Sequence, residues 1–352
     1  MNRKTNTKGL KRIVLVSAVM LSLAAAATAQ ENKSRIPAYL SVGGWIDNQY
    51  TYENQKNNDG SHTEVSTFST RRARLDVKGN INGNLEFRLQ TDMAGTPKLV
   101  DAFIKYKFSK LINVELGQFK TPFTLENQYS PLNQEGIDNS AVISSLAGFS
   151  DILGGNRKNG RDSGVMLFGN LLDSNDGSFP LLSYNIGVFN GNGINGKDDN
   201  QGKDVIGRLD FHPFIKELVL SASAVQGTYN DGADRKAANN RIAFGGEYKD
   251  DALTLRSEYV RADFENGGIW HKADGFYVAA SYWFKFGNDQ KLRPVVRYDQ
   301  YNQNNLTSNL CMVGIDWWPE SHLRLQLNYT LNDREQFDNK GDLLSAMVTV
   351  KF

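Results

Sequence analysis

The sequence predicts an all-β fold, a transmembrane antiparallel β-barrel of about sixteen strands. Three observations predict it. The chain ends on a run in which Leu344, Ala346, Val348, Val350 and Phe352 are apolar, while Ser345, Thr349 and Lys351 fall between them. A period of two belongs to a strand with one greasy and one wetter face, and an aromatic carboxyl terminus is the address of outer-membrane assembly. The other end carries the pattern of an export signal. Between the two, short amphipathic segments recur, separated alternately by short and long connections.

Arg3, Lys4, Lys8, Lys11 and Arg12 make the start basic, and an apolar run follows over 13–27. Ala27, Thr28 and Ala29 supply a small-x-small cleavage pattern, so residues 1–29 read as a signal peptide and the mature chain as beginning at Gln30. The apolar run is short for an uncleaved membrane anchor, and no Cys at the cleavage point invites lipoprotein processing. The whole chain carries a formal charge of +1, and removing the five leader cations leaves −4. That balance excludes a strongly basic nucleic-acid binder. Negative mean hydropathy does not exclude a barrel, because only alternate residues meet lipid. Cys311 is the single cysteine, so no intrachain disulfide forms; inside a strand-like run it reads as a small packed residue. Without a Pro- or Ser-rich linker or a shift in composition, residues 30–352 read as one barrel domain.

In order, the strands of the first half fall near 39–52, 66–78, 84–92, 99–107, 111–119, 161–169, 182–190 and 203–211. Those of the second half fall near 217–228, 240–249, 252–262, 275–286, 291–301, 309–318, 322–331 and 342–352. An even number suits a single-chain bacterial barrel. With both ends on the periplasmic side, the odd connections face outward and are mostly long and polar, as at 53–64, 191–201, 228–239, 262–272 and 332–342. The even ones are mostly tight turns, as at 80–84, 109–110, 250–251 and 319–321. The stretch 170–180 breaks this pattern, being long where a turn is expected. Tyr106, Phe211, Tyr248, Tyr259, Phe284, Trp318, Tyr329 and Phe352 fall near strand ends on the face assigned to lipid, where aromatic girdles sit. Trp45, Phe103 and Trp283 are bulky exceptions on an otherwise polar or charged inner face.

The segment from Arg71 to Gly79 (RRARLDVKG), together with 117–123 (GQFKTPF), 160–165 (GRDSGV), 293–299 (RPVVRYD) and the last strand, resembles the phosphate-selective porin O/P family. The resemblance spans nearly the whole mature chain. It implies a sixteen-stranded trimeric outer-membrane channel whose third exterior loop folds into the lumen and narrows it. Independently, the connection 120–160 is the longest, at about forty residues, and a loop that long in a compact fold is functional or disordered. Its apolar stretches Ala141-Val142-Ile143 and Leu146-Ala147-Gly148-Phe149 favour packing over exposure. Covering the mouth and folding into the lumen are both open at this point.

Parity assigns the wall. Ala73, Leu75 and Val77 facing lipid leaves Arg72, Arg74, Asp76 and Lys78 facing the lumen, since charge at lipid depth is costly. By the same count Glu86, Arg88, Asp101, Lys105, Arg208, Arg256, Arg293, Arg297 and Arg324 turn inward. The candidate pore-lining and anion-binding residues on the early strands are Arg72, Arg74, Lys78, Arg88 and Lys105. Lys120, Arg157 and Arg161 join them at the long loop and its roots, and Arg297 from a later strand. Guanidinium groups suit oxyanions because planar donors match two oxygens at once, and conduction needs sites weak enough to release the ion. Asp76, Glu86, Asp92, Asp101, Glu115, Glu247, Glu258 and Asp299 nearly balance these cations, so ion-pair bracing is the competing reading for each.

His62, His212, His271 and His322 fall in loops or turns without metal-ligand spacing. No outward Ser–His pair suggests a barrel phospholipase. The expected function is passive diffusion of small hydrophilic solutes, with mild anion preference and phosphate specificity both open; a non-conducting adhesin or structural anchor is the alternative. No enzyme activity and no cofactor is implied. The expected partners are outer-membrane lipid and lipopolysaccharide, small hydrophilic solutes or anions and, through the resemblance, two further copies of the chain in a homotrimer.

Overall fold

The computed structural model describes residues 39–56, 61–155, 157–231, 236–287, 289–334 and 340–352. The expected signal peptide, 1–29, lies outside them. Among the described residues sixteen strands form one antiparallel sheet. The first eight are β1 (Tyr39–Lys56), β2 (His62–Asn80), β3 (Leu85–Asp92), β4 (Lys98–Lys107), β5 (Asn113–Lys120), β6 (Arg161–Asp173), β7 (Pro180–Phe189) and β8 (Asp204–Phe211). Next come β9 (Leu218–Asn230), β10 (Lys236–Lys249), β11 (Leu253–Asn266) and β12 (Ile269–Tyr282), the last interrupted at Trp283 and resumed over Phe284–Phe286. The last four are β13 (Gln290–Gln303), β14 (Leu306–Glu320), β15 (Leu323–Arg334) and β16 (Lys340–Lys351).

The sheet closes on itself. β16 pairs with β15 and also with β1, in a register that sets Tyr52 opposite Leu344 and Trp45 opposite Lys351. Closure removes the open edge that no lipid-embedded sheet tolerates. The Phe352 backbone finishes the seam, accepting from Gly44 N at 2.9 Å and donating to Gly44 O at 3.0 Å. The Phe352 ring lies over Gly44, where a Cβ would sit 2.8 Å from the ring and 2.2 Å from the Arg74 carbonyl oxygen. Only glycine fits under the seam.

Alternation then sorts the side chains. Along β11, Thr254, Arg256, Glu258, Val260, Ala262 and Phe264 are buried, while Leu255 and Tyr259 are exposed. The exposed set around the barrel is apolar, as in Val278, Val296, Val313, Leu327 and Val348, which is the surface hydrocarbon requires. Tyr106, Phe211, Tyr259, Phe284, Tyr329 and Phe352 belong to this outer face as expected. Trp318 does not: it is buried and Trp317 is the outward ring. Adjacent tryptophans hide which parity is in force, and the β14–β15 register shifts between Trp317 and Glu320. Cys311 also differs from expectation, lying exposed on the outer face rather than packed.

The strands run further than alternation suggested. β11 and β12 continue to a two-residue turn at Gly267 and Gly268, both at positive φ (61° and 82°), where a loop over 262–272 was expected. Positive φ at both central residues matches the twist of a tight hairpin. His62 and His271, expected in loops, lie on such extended ladders. Once a hairpin leaves the membrane both faces meet water, so its ladder continues while its alternation fades. The puzzling stretch 170–180 resolves the same way: β6 and β7 lengthen, leaving a turn that Ser174 N closes on Phe179 O at 2.9 Å.

Candidate functional site

The lumen wall is built by the inward parity, with one deliberate break. Asp47 pairs with Arg72 but the next residue, Asn48, pairs with Thr70, so Arg71 is an extra, bulged residue of β2. A bulge re-aims side chains. Arg71 donates to Gln49 at 2.8 Å and to Asp138 at 2.6 Å, while its neighbour Arg72 donates to Asp47 at 3.0 Å. Strict alternation places only one of two consecutive arginines inside and therefore missed Arg71. The signal was the pair itself, since neither guanidinium suits lipid.

Most candidate cations meet a carboxylate. Buried Arg74 reaches Asp92 and Gln90, each at 3.3 Å, and lies over the Trp45 ring. Arg88 clasps Asp76 with two bonds of 2.8 Å and touches Asp101 at 3.0 Å. Arg161 holds the other side of Asp101 at 2.5 and 3.2 Å. Lys78 pairs with Asp76 at 3.0 Å and Lys105 with Glu115 at 3.2 Å. Lys120 instead donates to the carbonyls of Asn127 (2.6 Å) and Tyr129 (2.5 Å). Arg157 sits over the Tyr229 ring at 5.5 Å without an ion pair among the described residues. Arg88 and Arg161 meet at Asp101, Lys120 stands opposite Arg161 in the β5–β6 register, and Arg74 reaches Gln90, the register partner of Asp101, so the fold gathers these groups into one cluster. Lys78 adjoins it through Asp76, which it shares with Arg88, whereas Arg297 lies on the later strands.

The connection 121–160 between β5 and β6 lies against inward side chains of later strands. It contains a 3-10 turn (Glu126–Gln128) and α1 (Ala141–Leu146), whose first turn is capped by the Ser140 hydroxyl accepting from Ile143 N. Val142, Ile143 and Leu146 of α1 are fully buried with Val260, Ala262, Phe264, Ala273 and Tyr277 from β11 and β12. The inner wall is thus apolar where α1 rests, a patch that residue-type counts along single strands concealed.

Arginines fasten the rest. Arg297 pairs with Asp299 at 2.8 Å and donates to the carbonyls of Asp138 (2.8 Å) and Asn139 (3.2 Å). Arg324 donates to the carbonyls of Pro131, Leu132 and Gln134. Arg293 joins it on Gln134 O at 2.8 Å. Arg256 grips Glu135 through two bonds of 3.0 and 3.1 Å. Arg241, which parity reading missed, binds Asp151 at 2.5 and 2.9 Å and the Leu146 carbonyl at 2.6 Å. Glu258 accepts from Leu125 N and Glu126 N, and Asp299 from Ala141 N. Burial pushes the Glu126 carboxyl up to about 7, against the pull of Arg297 and Arg256. The candidate Arg297 thus serves as an anchor of the connection.

A closed sixteen-strand cylinder, apolar outside and largely charged inside, defines an outer-membrane channel of the porin class. The chain belongs to the phosphate-selective porin O and P family, whose pattern matches residues 45–249 and 232–352. Among solved structures it is similar to an anion-selective porin from Comamonas acidovorans, at 15% identity over 89% of this chain and 99% of that one, with a TM-score of 0.68. It is also similar to the outer-membrane channel DcaP of Acinetobacter baumannii (15% identity, 91% and 99% covered, TM-score 0.62). The trimer form of OmpT from Vibrio cholerae aligns at 15% identity over 89% and 99%, with a TM-score of 0.57. Among curated proteins none matches the chain.

Proposed function

We propose that the protein is a passive pore for small hydrophilic solutes that favours anions, with the connection 121–160 narrowing the passage. The observation that carries this reading is the gathering of Arg74, Arg88, Lys120 and Arg161: Arg88 and Arg161 share Asp101, Arg74 has Asp92, and Lys120 has only carbonyl partners. An anion entering this cluster meets donors that its own carboxylates leave partly unused. The family's description and the anion selectivity of the Comamonas porin support the same direction. Lumen positions that are mostly polar or charged argue against a stoppered adhesin or anchor, and no covalent chemistry belongs to this reading. Export by a signal peptide cleaved after Ala29 and assembly as a homotrimer amid lipid and lipopolysaccharide complete the proposal, the latter supported by the trimeric OmpT. Neutralising Arg72 and Arg74 together exposes Asp47 and Asp92, and lowers the anion-to-cation permeability ratio measured from reversal potentials in a KCl gradient. An unchanged reversal potential discards these two residues as determinants of selectivity.

A further inference from the structure

At the turn end of the barrel, away from the arginine cluster, a recess of about 600 Å³ opens beneath the 132–133 segment of the long connection. That volume is in the range that holds small organic ligands. Its lining includes Lys249, Lys285, Lys291 and Lys351 against a single carboxylate, Asp289. None of these lysines forms an ion pair among the described residues; Lys285 stands opposite Lys291 in the ladder, while the neighbouring Arg293 and Arg324 are paired with Asp316. Lys291 has two aromatic rings beside it rather than a carboxylate. The Lys291 ammonium is 4.9 Å from the centroid of Trp283 and 4.9 Å from that of Trp318, and Arg293 lies 4.4 Å from Trp283. A ring quadrupole steadies a cation without cancelling its charge. Trp318 Nε1 is buried without a hydrogen-bond partner, a further unused donor in this wall.

We propose that this recess is a binding site for organic anions that carry a planar ring, with aryl carboxylates as the ligand class. The inference rests on the channel reading above and adds a solute class to it. A carboxylate bound to Lys291 lies, by that geometry, within reach of both indoles. Whatever is attached to it lands on apolar aromatic surface, where an aryl body gains stacking and burial that an inorganic anion cannot. The other lysines supply attraction at longer range, and water on the open side lets the ligand leave.

The test uses full-length protein in planar bilayers in KCl, with potassium benzoate, acetate or phosphate added to each side in turn. The reading is the concentration that halves the single-channel current. Benzoate acts at about tenfold lower concentration than acetate or phosphate, the difference one ring contact supplies. Trp283→Ala abolishes the advantage of benzoate over acetate, and Lys291→Gln weakens both. Trp283 lies in the break of β12 and is half-buried, so closure of the sheet does not depend on it. Equal action of benzoate and acetate, stronger action of phosphate, or an advantage that survives Trp283→Ala overturns the proposal. Complete absence of current steps removes the channel reading itself, whereas steps without benzoate preference remove only this site.

Discussion

Single-channel conductance is expected to rise severalfold when Ile143 and Leu146 are both replaced by Asp. These side chains are fully buried between α1 and the apolar patch of β11 and β12. Burying each contributes roughly 1.5–3 kcal/mol, and an unpartnered carboxylate in the same place costs several kcal/mol more. The strand ladder takes no part in this contact, so the barrel still closes and keeps the altered gel mobility of a folded outer-membrane protein before heating. What is lost is the apolar seat of α1; the cost of the two buried carboxylates outweighs the Arg241–Leu146 and Asp299–Ala141 bonds at its ends, and the segment swings away from the passage. The Arg256–Glu135 and Arg324–Gln134 bonds continue to hold the neighbouring segment, which limits the effect to the part that α1 occupies. Unchanged step size in a folded double variant means that α1 does not limit the passage.

The second large effect is electrostatic. Asp101→Asn takes away the carboxylate shared by Arg161 and Arg88. Arg88 keeps Asp76, but Arg161 keeps only the Asn159 carbonyl. The cluster gains one uncompensated positive charge beside the path. A unit charge acts on a passing ion with roughly 0.5–1 kcal/mol at 4–8 Å through water, so the anion-to-cation ratio rises severalfold. The reversal potential in a KCl gradient measures it, and the change shrinks as salt is raised. A ratio that stays constant or falls contradicts the placement of this cluster on the permeation path. Removing one partner of a buried pair also costs stability, of order 3–5 kcal/mol, which denaturant unfolding of the same variant records.

All sixteen strands were legible because each crosses a medium that punishes a polar residue on the wrong face. Legibility ended where that penalty ended. The hairpin at Gly267 and Gly268 continues a regular ladder in water, where nothing enforces alternation. One inserted residue, Arg71, breaks the count without leaving a trace in composition. Adjacent Trp317 and Trp318 satisfy either parity, so only the ladder decides which faces lipid. The inward facing of Arg74, Arg88 and Arg297 could be read from alternation, but their partners could not. Arg88 meets Asp101 and Arg297 meets Asp138 only through cross-strand register and the course of the long connection. For the same reason the apolar inner patch escaped notice: α1 and its partners on β11 and β12 are more than a hundred positions apart in sequence.

The most direct measurement is the current through full-length protein in a planar bilayer as KCl is raised on both sides. A water-filled cylinder gives discrete steps that grow nearly in proportion to salt. Folded protein that inserts, shows the heat-dependent gel mobility of a closed barrel, and yet passes no steps contradicts it.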